Sequence, residues 1–160
     1  MGRRIYAAGF DAVSIGTAVQ DIFMLKAGAA KGIQLRHIHL EASGITTAAQ
    51  IRMRLKRFAS TVTVGSGGTA PTIGIVDFGD TLAATATLRC NDTTQATTSG
   101  SSTSLDLYFN WNVLLPWDYM PGPEDEDREC ADVAQALILD LPTTITATTV
   151  SGFIKWAERP

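Results

Sequence analysis

Histidine and cysteine are scarce in this sequence, with two of each. The histidines sit together at His37 and His39, no Gly-x-Ser-x-Gly elbow is present, and neither Cys90 nor Cys130 has supporting residues near it in sequence. No nucleophile–base pair can be drawn from that inventory, and no catalytic role is expected. The glycine-rich run Gly65–Gly68 is not followed by a lysine, so it is not a phosphate loop. Charge is also sparse: 18% of residues are charged, below the roughly 25% usual in soluble domains. The formal net charge of −3 gives nucleic acid nothing to bind. No apolar run approaches the roughly 18 residues of a membrane span. The start, MGRRIY, has two arginines but no apolar core after it, because Asp11 intervenes, and Tyr6 stands where a myristoylation signal needs Ser or Thr; neither a signal peptide nor a lipid anchor is expected. Without an export signal, Cys90 and Cys130 are expected as free thiols.

What is present is a chain of 160 residues, 45% of them hydrophobic, enough for one domain with its own core. Thr, Ala, Ser and Gly take the place of charge, which suits an all-β protein with long, weakly charged loops, or one partly covered by other subunits. Gln50–Phe58 (QIRMRLKRF) carries the clearest pattern. Ile51, Met53 and Leu55 alternate with Arg52, Arg54 and Lys56, apolar on one strand face and cationic on the other. Ile33–Leu40 reads as the strand before it, with Ala42–Ala49 as the turn, so Gly32–Phe58 is expected to form a central antiparallel hairpin. Within Ile33–Glu41 the inward face changes midway, which a β-bulge near Arg36 would reconcile.

Gln20–Lys26 is apolar on both sides and is expected to be covered on both faces. Ile5–Ile15 reads as a first strand or an arm, giving residues 1–18 as an N-terminal segment and 19–160 as one sandwich domain. Thr61–Asp80 holds one short strand or none; Thr81–Cys90 alternates again; Asn91–Thr103 is a polar, low-complexity loop expected to be exposed. Ser104–Leu115 places Leu105, Leu107, Phe109, Trp111 and Val113 on one face. Pro116, Pro121 and Pro123 are expected to keep Trp117–Glu129 irregular. Val133–Leu141 and Ile145–Trp156, the latter bending at Gly152, complete the set, and helix competes only at Cys130–Leu139. About eight strands at this spacing predict an all-β, antiparallel β-sandwich, jelly-roll-like, with an immunoglobulin-like sandwich as the alternative.

Three groups of residues are candidate sites. His37, His39 and Glu41 share one strand face and can reach a single ion. With Gly32 they resemble half of a cupin motif, but both spacings are short and the chain has no further histidine for the second half, so no cofactor is expected. The cations Arg52, Arg54, Lys56 and Arg57 complement the acids Glu124, Asp125, Glu126 and Asp127 of the EDEDRE run across a boundary between copies; two solvated faces are the plainer reading. On the first reading, charge reversal at Arg54 or Asp125 weakens assembly and leaves the fold intact. Trp111, Trp117 and Tyr119 can form a sugar-stacking platform, or Trp111 is core while Trp117 and Tyr119 cover a sheet end or an interface.

The runs VGSGGTAPT (Val64–Thr72), Gly79–Asp80, ATATLRCNDTTQATTSG (Ala84–Gly100) and the Trp117…Pro-x-Pro-Glu-Asp pattern ending at Asp125 resemble a family of small proteins of tailed bacteriophages and prophages, over roughly Gln20–Trp156. The resemblance implies a β-sandwich virion protein, a head decoration or cement protein that trimerises on the capsid exterior after synthesis in the host cytoplasm. Its implied partners are the major capsid protein and its own copies, not nucleic acid or membrane. It transfers no functional residues. Long connections of the kind seen here are what a capsid clamp needs, and symmetric repetition turns weak contacts into avidity. A carbohydrate-binding module of a phage tail or fibre is the alternative, and a cupin-like metalloenzyme the third reading.

Overall fold

A computed structural model describes residues 4–45, 47–76, 81–99, 106–122, 130–132 and 134–159, with only the backbone at Asp106 and Cys130. Thirteen strands form among them: Arg4–Ile15 (β1), Gln20–Lys26 (β2), Ile33–Ser43 (β3), Gln50–Phe58 (β4), Val62–Thr63 (β5), Gly74–Ile75 (β6), Thr87–Asp92 (β7), Thr97–Thr98 (β8), Asp106–Asn112 (β9), Trp117–Tyr119 (β10), Cys130–Ala131 (β11), Ala136–Leu141 (β12) and Thr148–Glu158 (β13). Eight of these have six residues or more, and each but β7 falls within an expected strand segment or overlaps most of it; β7 takes only the end of Thr81–Cys90 and runs on to Asp92. The described residues contain no helix.

All pairings are antiparallel. One sheet runs β10-β3-β13-β1-β6, with β11 also on β3; the other runs β7-β2-β12-β4-β9; β5 and β8 make a separate ribbon. The two sheets share one core, in which Leu35, Ile38, Leu40, Trp156 and Tyr6 of the first meet Phe23, Leu25, Met53, Leu55, Trp111 and Leu139 of the second. The molecule is therefore a β-sandwich. Its winding is nested: the first strand pairs with the last and the second with the twelfth, while β3 joins β13 and β4 joins β12.

That nesting removes the expected central hairpin. β3 and β4 lie in different sheets, and the chain leaves β3 through Gly44, at a φ of 70°. The physical reason is that each strand has one apolar face. Facing across the core buries Ile38 and Leu40 against Ile51 and Met53, whereas pairing edge to edge would leave both faces still needing cover.

The change of face in β3 is a bulge at the expected place. Lys155 pairs His37 and Trp156 pairs Leu35, so Arg36 is the extra residue. Before it Ile33 and Leu35 point inward; after it Ile38 and Leu40 do. The bend expected at Gly152 falls elsewhere: β1 bulges opposite it between Phe10 and Val13, with Ala12 at a φ of 51°. Gly152 is needed for a close approach, since a Cβ there would lie 2.6 Å from Leu40 Cδ2 and 2.7 Å from the His39 carbonyl.

β2 is covered on both faces, as its composition requires. Met24 on its outer side packs with Phe58, Val62, Ala96, Ala136 and Ile138 beneath the β5–β8 ribbon. Two readings of the loops change. Thr61–Asp80 supplies two very short strands, β5 and β6, instead of one or none, and the start of Asn91–Thr103 is buried, with Asp92 at 0% and Ala96 at 4% exposure. Thr81–Cys90 becomes strand only from Thr87, and Leu82 is exposed. The N-terminal segment is an integral strand between β13 and β6. Cys90 is a buried free thiol, its acidity weakened to a value of about 12 by burial, while Cys130 lies outside the described side chains.

Candidate functional site

The outward cations of β4 do not form a patch. Arg52 is exposed, with its guanidinium 4.5 Å over the Tyr108 ring. Arg54 instead donates from Nε and Nη2 to the two Asp140 oxygens at 3.1 and 2.7 Å, and Lys56 Nζ donates to Asp140 Oδ2 at 2.7 Å and lies 3.9 Å from Asp21 Oδ1. Asp140 and Asp21 have no solvent exposure. β12 brings Asp140 beside Arg54 on one flank and Asp21 on the other, and Gln95 and Ala96, just ahead of β8, bond to these carboxylates. Arg54 is held more firmly protonated by its hydrogen bonds to Asp140. The expectation that reversing Arg54 leaves the fold intact is therefore corrected: a carboxylate there would face the buried Asp140. Arg57 is half-buried. The complementary acids Glu124, Asp125, Glu126 and Asp127 lie outside the described residues.

Burial drives the Asp21 carboxyl up to about 6 from 3.8, against the lowering effect of the Ala96 N–H bond and Lys56. A carboxyl that holds its proton more tightly in the folded chain than in the unfolded one stabilises the fold at low pH. That contribution is lost as the pH rises from 3.8 through about 6, a loss of roughly 3 kcal/mol. Asp21→Asn should lack this decline. In urea unfolding of both proteins at pH 4 and pH 7, the difference should move in the variant's favour at the higher pH; an unchanging difference would refute it.

β9 and β10 end their sheets on the same side of the sandwich. Trp117-Asp118-Tyr119 is a strand, contrary to the expected irregular stretch, because Pro116 and Pro121 flank it without entering it. Trp117 and Tyr119 turn inward to Phe109 of the facing sheet, with ring centroids 5.2 and 5.1 Å away. They close the gap between the sheets, as the sheet-end reading expected, while Trp111 is core at 2% exposure and donates to the Leu115 carbonyl at 2.7 Å. Around this seam the surface is apolar: Tyr108, Leu114, Leu115 and Met120 are 50, 47, 61 and 67% exposed.

Asp118 points the other way, onto the outer face of the β3 sheet. Its Oδ1 accepts from His37 Nε2 at 2.7 Å and from His39 Nδ1 at 2.9 Å. These hydrogen bonds, His39's first, hold the Asp118 carboxyl below the usual range. Glu41, expected as the third member of the group, is not: its Oε2 lies 3.9 Å from His39 Nε2, on the other side of the ring. Phe153 lies beside both imidazoles, nearly parallel to His39 at 5.2 Å and edge-on to His37 at 5.0 Å. Asp118 was missed because its strand has three residues between prolines; the aromatic–acid–aromatic alternation was the available signal.

A shallow groove of about 340 Å³ at the end of the sandwich is lined by Gly44, Ile45, Thr47, Ala49, Val113 and residues 146–148, and its described lining has no ionisable side chain. The fold defines the class, an all-β antiparallel sandwich. Scans against protein-family models, curated proteins and solved structures returned no match to this chain.

Proposed function

We propose that this chain is a non-enzymatic structural protein of a tailed-phage particle, a decoration protein that binds the capsid exterior and its own copies. One observation carries the reading: the exposed apolar side chains of Tyr108 on β9, Leu114 and Leu115 between β9 and β10, and Met120 just after β10, at the end strands of the two sheets. Edge strands are normally blunted with charge because their unpaired backbone invites association. Here the connections beside the end strands present leucine and methionine, which suits a surface buried in an assembly. The nested β-sandwich supplies a body on whose surface residues 114–116 are exposed. Major capsid protein and a homotrimeric arrangement of this chain are the partners this reading assigns.

The test is the mass in solution and co-sedimentation with phage heads. The wild-type chain should self-associate and pellet with heads, and Leu115→Asp with Met120→Asp should do neither while keeping its circular dichroism spectrum. A wild type that stays monomeric and never joins particles defeats the reading. The glycan-binding alternative rests on Trp117 and Tyr119, whose planes lie 8° apart, but both rings are engaged with Phe109 between the sheets.

A further inference from the structure

We propose that His37, His39 and Asp118 form a binding site for one divalent transition-metal ion of the Zn²⁺ class, joining the edge strand β10 to β3. The three donor atoms lie within 4.8 Å of one another, and they form a group of this kind among the described residues without any help from Glu41. Two imidazoles and one carboxylate are the ligand set that suits Zn²⁺, Ni²⁺ or Cu²⁺ more than Ca²⁺ or Mg²⁺.

The placement comes from the backbone. His37 and His39 are two apart on β3 and share its outer face, and Asp118 stands directly opposite His39 in the ladder. Ligands on paired strands are held more firmly than ligands on loops. Phe153 flanks both rings, and the Glu41 carboxylate sits near the His39 nitrogen that faces away from Asp118. A carboxylate behind a ligating imidazole is the usual outer partner of such a histidine. Lys155 pairs with His37 in the ladder and holds its ammonium 5.2 Å from the Phe153 centroid, a nearby positive charge that would oppose binding.

A tetrahedral ion with bonds near 2.1 Å needs donors about 3.4 Å apart. The present N···O distances of 2.7 and 2.9 Å must open modestly. The side chains of His37, His39 and Asp118 are 20, 22 and 43% exposed, so rotation can supply that movement and water can take the remaining position. Binding replaces the two N–H···O hydrogen bonds at Asp118 Oδ1 with metal–ligand bonds; a neutral imidazole moves its proton to the ring nitrogen facing away from the ion, and an imidazolium also releases one to solvent.

The proposal does not depend on the phage reading. Zn²⁺ titrated calorimetrically into the full chain, with any affinity tag removed, should saturate at one ion per chain. His37→Ala and Asp118→Ala should each weaken binding by about tenfold or more. Co²⁺ should give visible absorption in the wild type that both variants lose, with the far-ultraviolet dichroism of all three unchanged. No saturable uptake up to about 1 mM Zn²⁺ would overturn the site and leave Asp118 as a hydrogen-bond bridge. Uptake unaltered in both variants would also overturn it, by placing the ion elsewhere.

Discussion

Replacing Asp140 with alanine should destabilise the fold by about 3–5 kcal/mol, a large share of the total stability of a domain this size. Asp140 is fully buried and is the common acceptor for Arg54 and Lys56. Removing it leaves the Lys56 ammonium, itself only 5% exposed, with Asp21 at 3.9 Å as its remaining ionic partner. It also costs Gln95 one of its two carboxylate acceptors, and that side chain helps seat the outer ribbon. Chemical denaturation should show the loss, with Arg52→Ala as the comparison. Arg52 is exposed and touches Tyr108 only from above, so its removal should change stability by less than about 1 kcal/mol. Equal losses in the two variants would mean that the buried ion cluster has no special weight.

Glu158→Ala should cost about 2–5 kcal/mol through a different route. The Glu158 carboxylate is 3% exposed and ends the last strand. Its Oε1 accepts from the backbone N–H groups of Thr85 and Ala86 at 2.6 and 2.9 Å, and its Oε2 accepts from the Thr85 hydroxyl at 3.0 Å. Alanine would strand these donors beneath the surface. Glu158→Gln retains one amide oxygen and should lose less. Hydrogen exchange should locate the damage, with the Thr85 and Ala86 amides losing protection first. Unchanged protection there would show that other groups hold the segment.

Other buried carboxylates do similar work. Asp21 accepts from the Ala96 N–H, and Asp92 from Gly68 and Arg89. These contacts explain which parts of the structure could be read from the chain and which could not. Period-two alternation marked the long strands and the bulge at Arg36, because each side chain there answers only to inside or outside. It could not report which sheet a strand joins. Ile51, Met53 and Leu55 alternate identically whether β4 pairs with β3 or faces it across the core. Nor could it distinguish Arg52, which meets solvent, from Lys56, which lies under a ribbon contributed by residues far along the chain. The histidine pair was legible, but its third member was not, because Asp118 reaches it only through the register of a three-residue edge strand.

The nested winding also has a bearing on biosynthesis. A chain still on the ribosome and ending before Ala136 has made β1 through β4 without the two strands that zip them together. The first sheet cannot close before β13 is made, nor the second before β12, so folding is governed by distant pairings, which are slow. Until those two strands are in place, the apolar faces of β1 and β3 lack their main pairing partner and are open to wrong association.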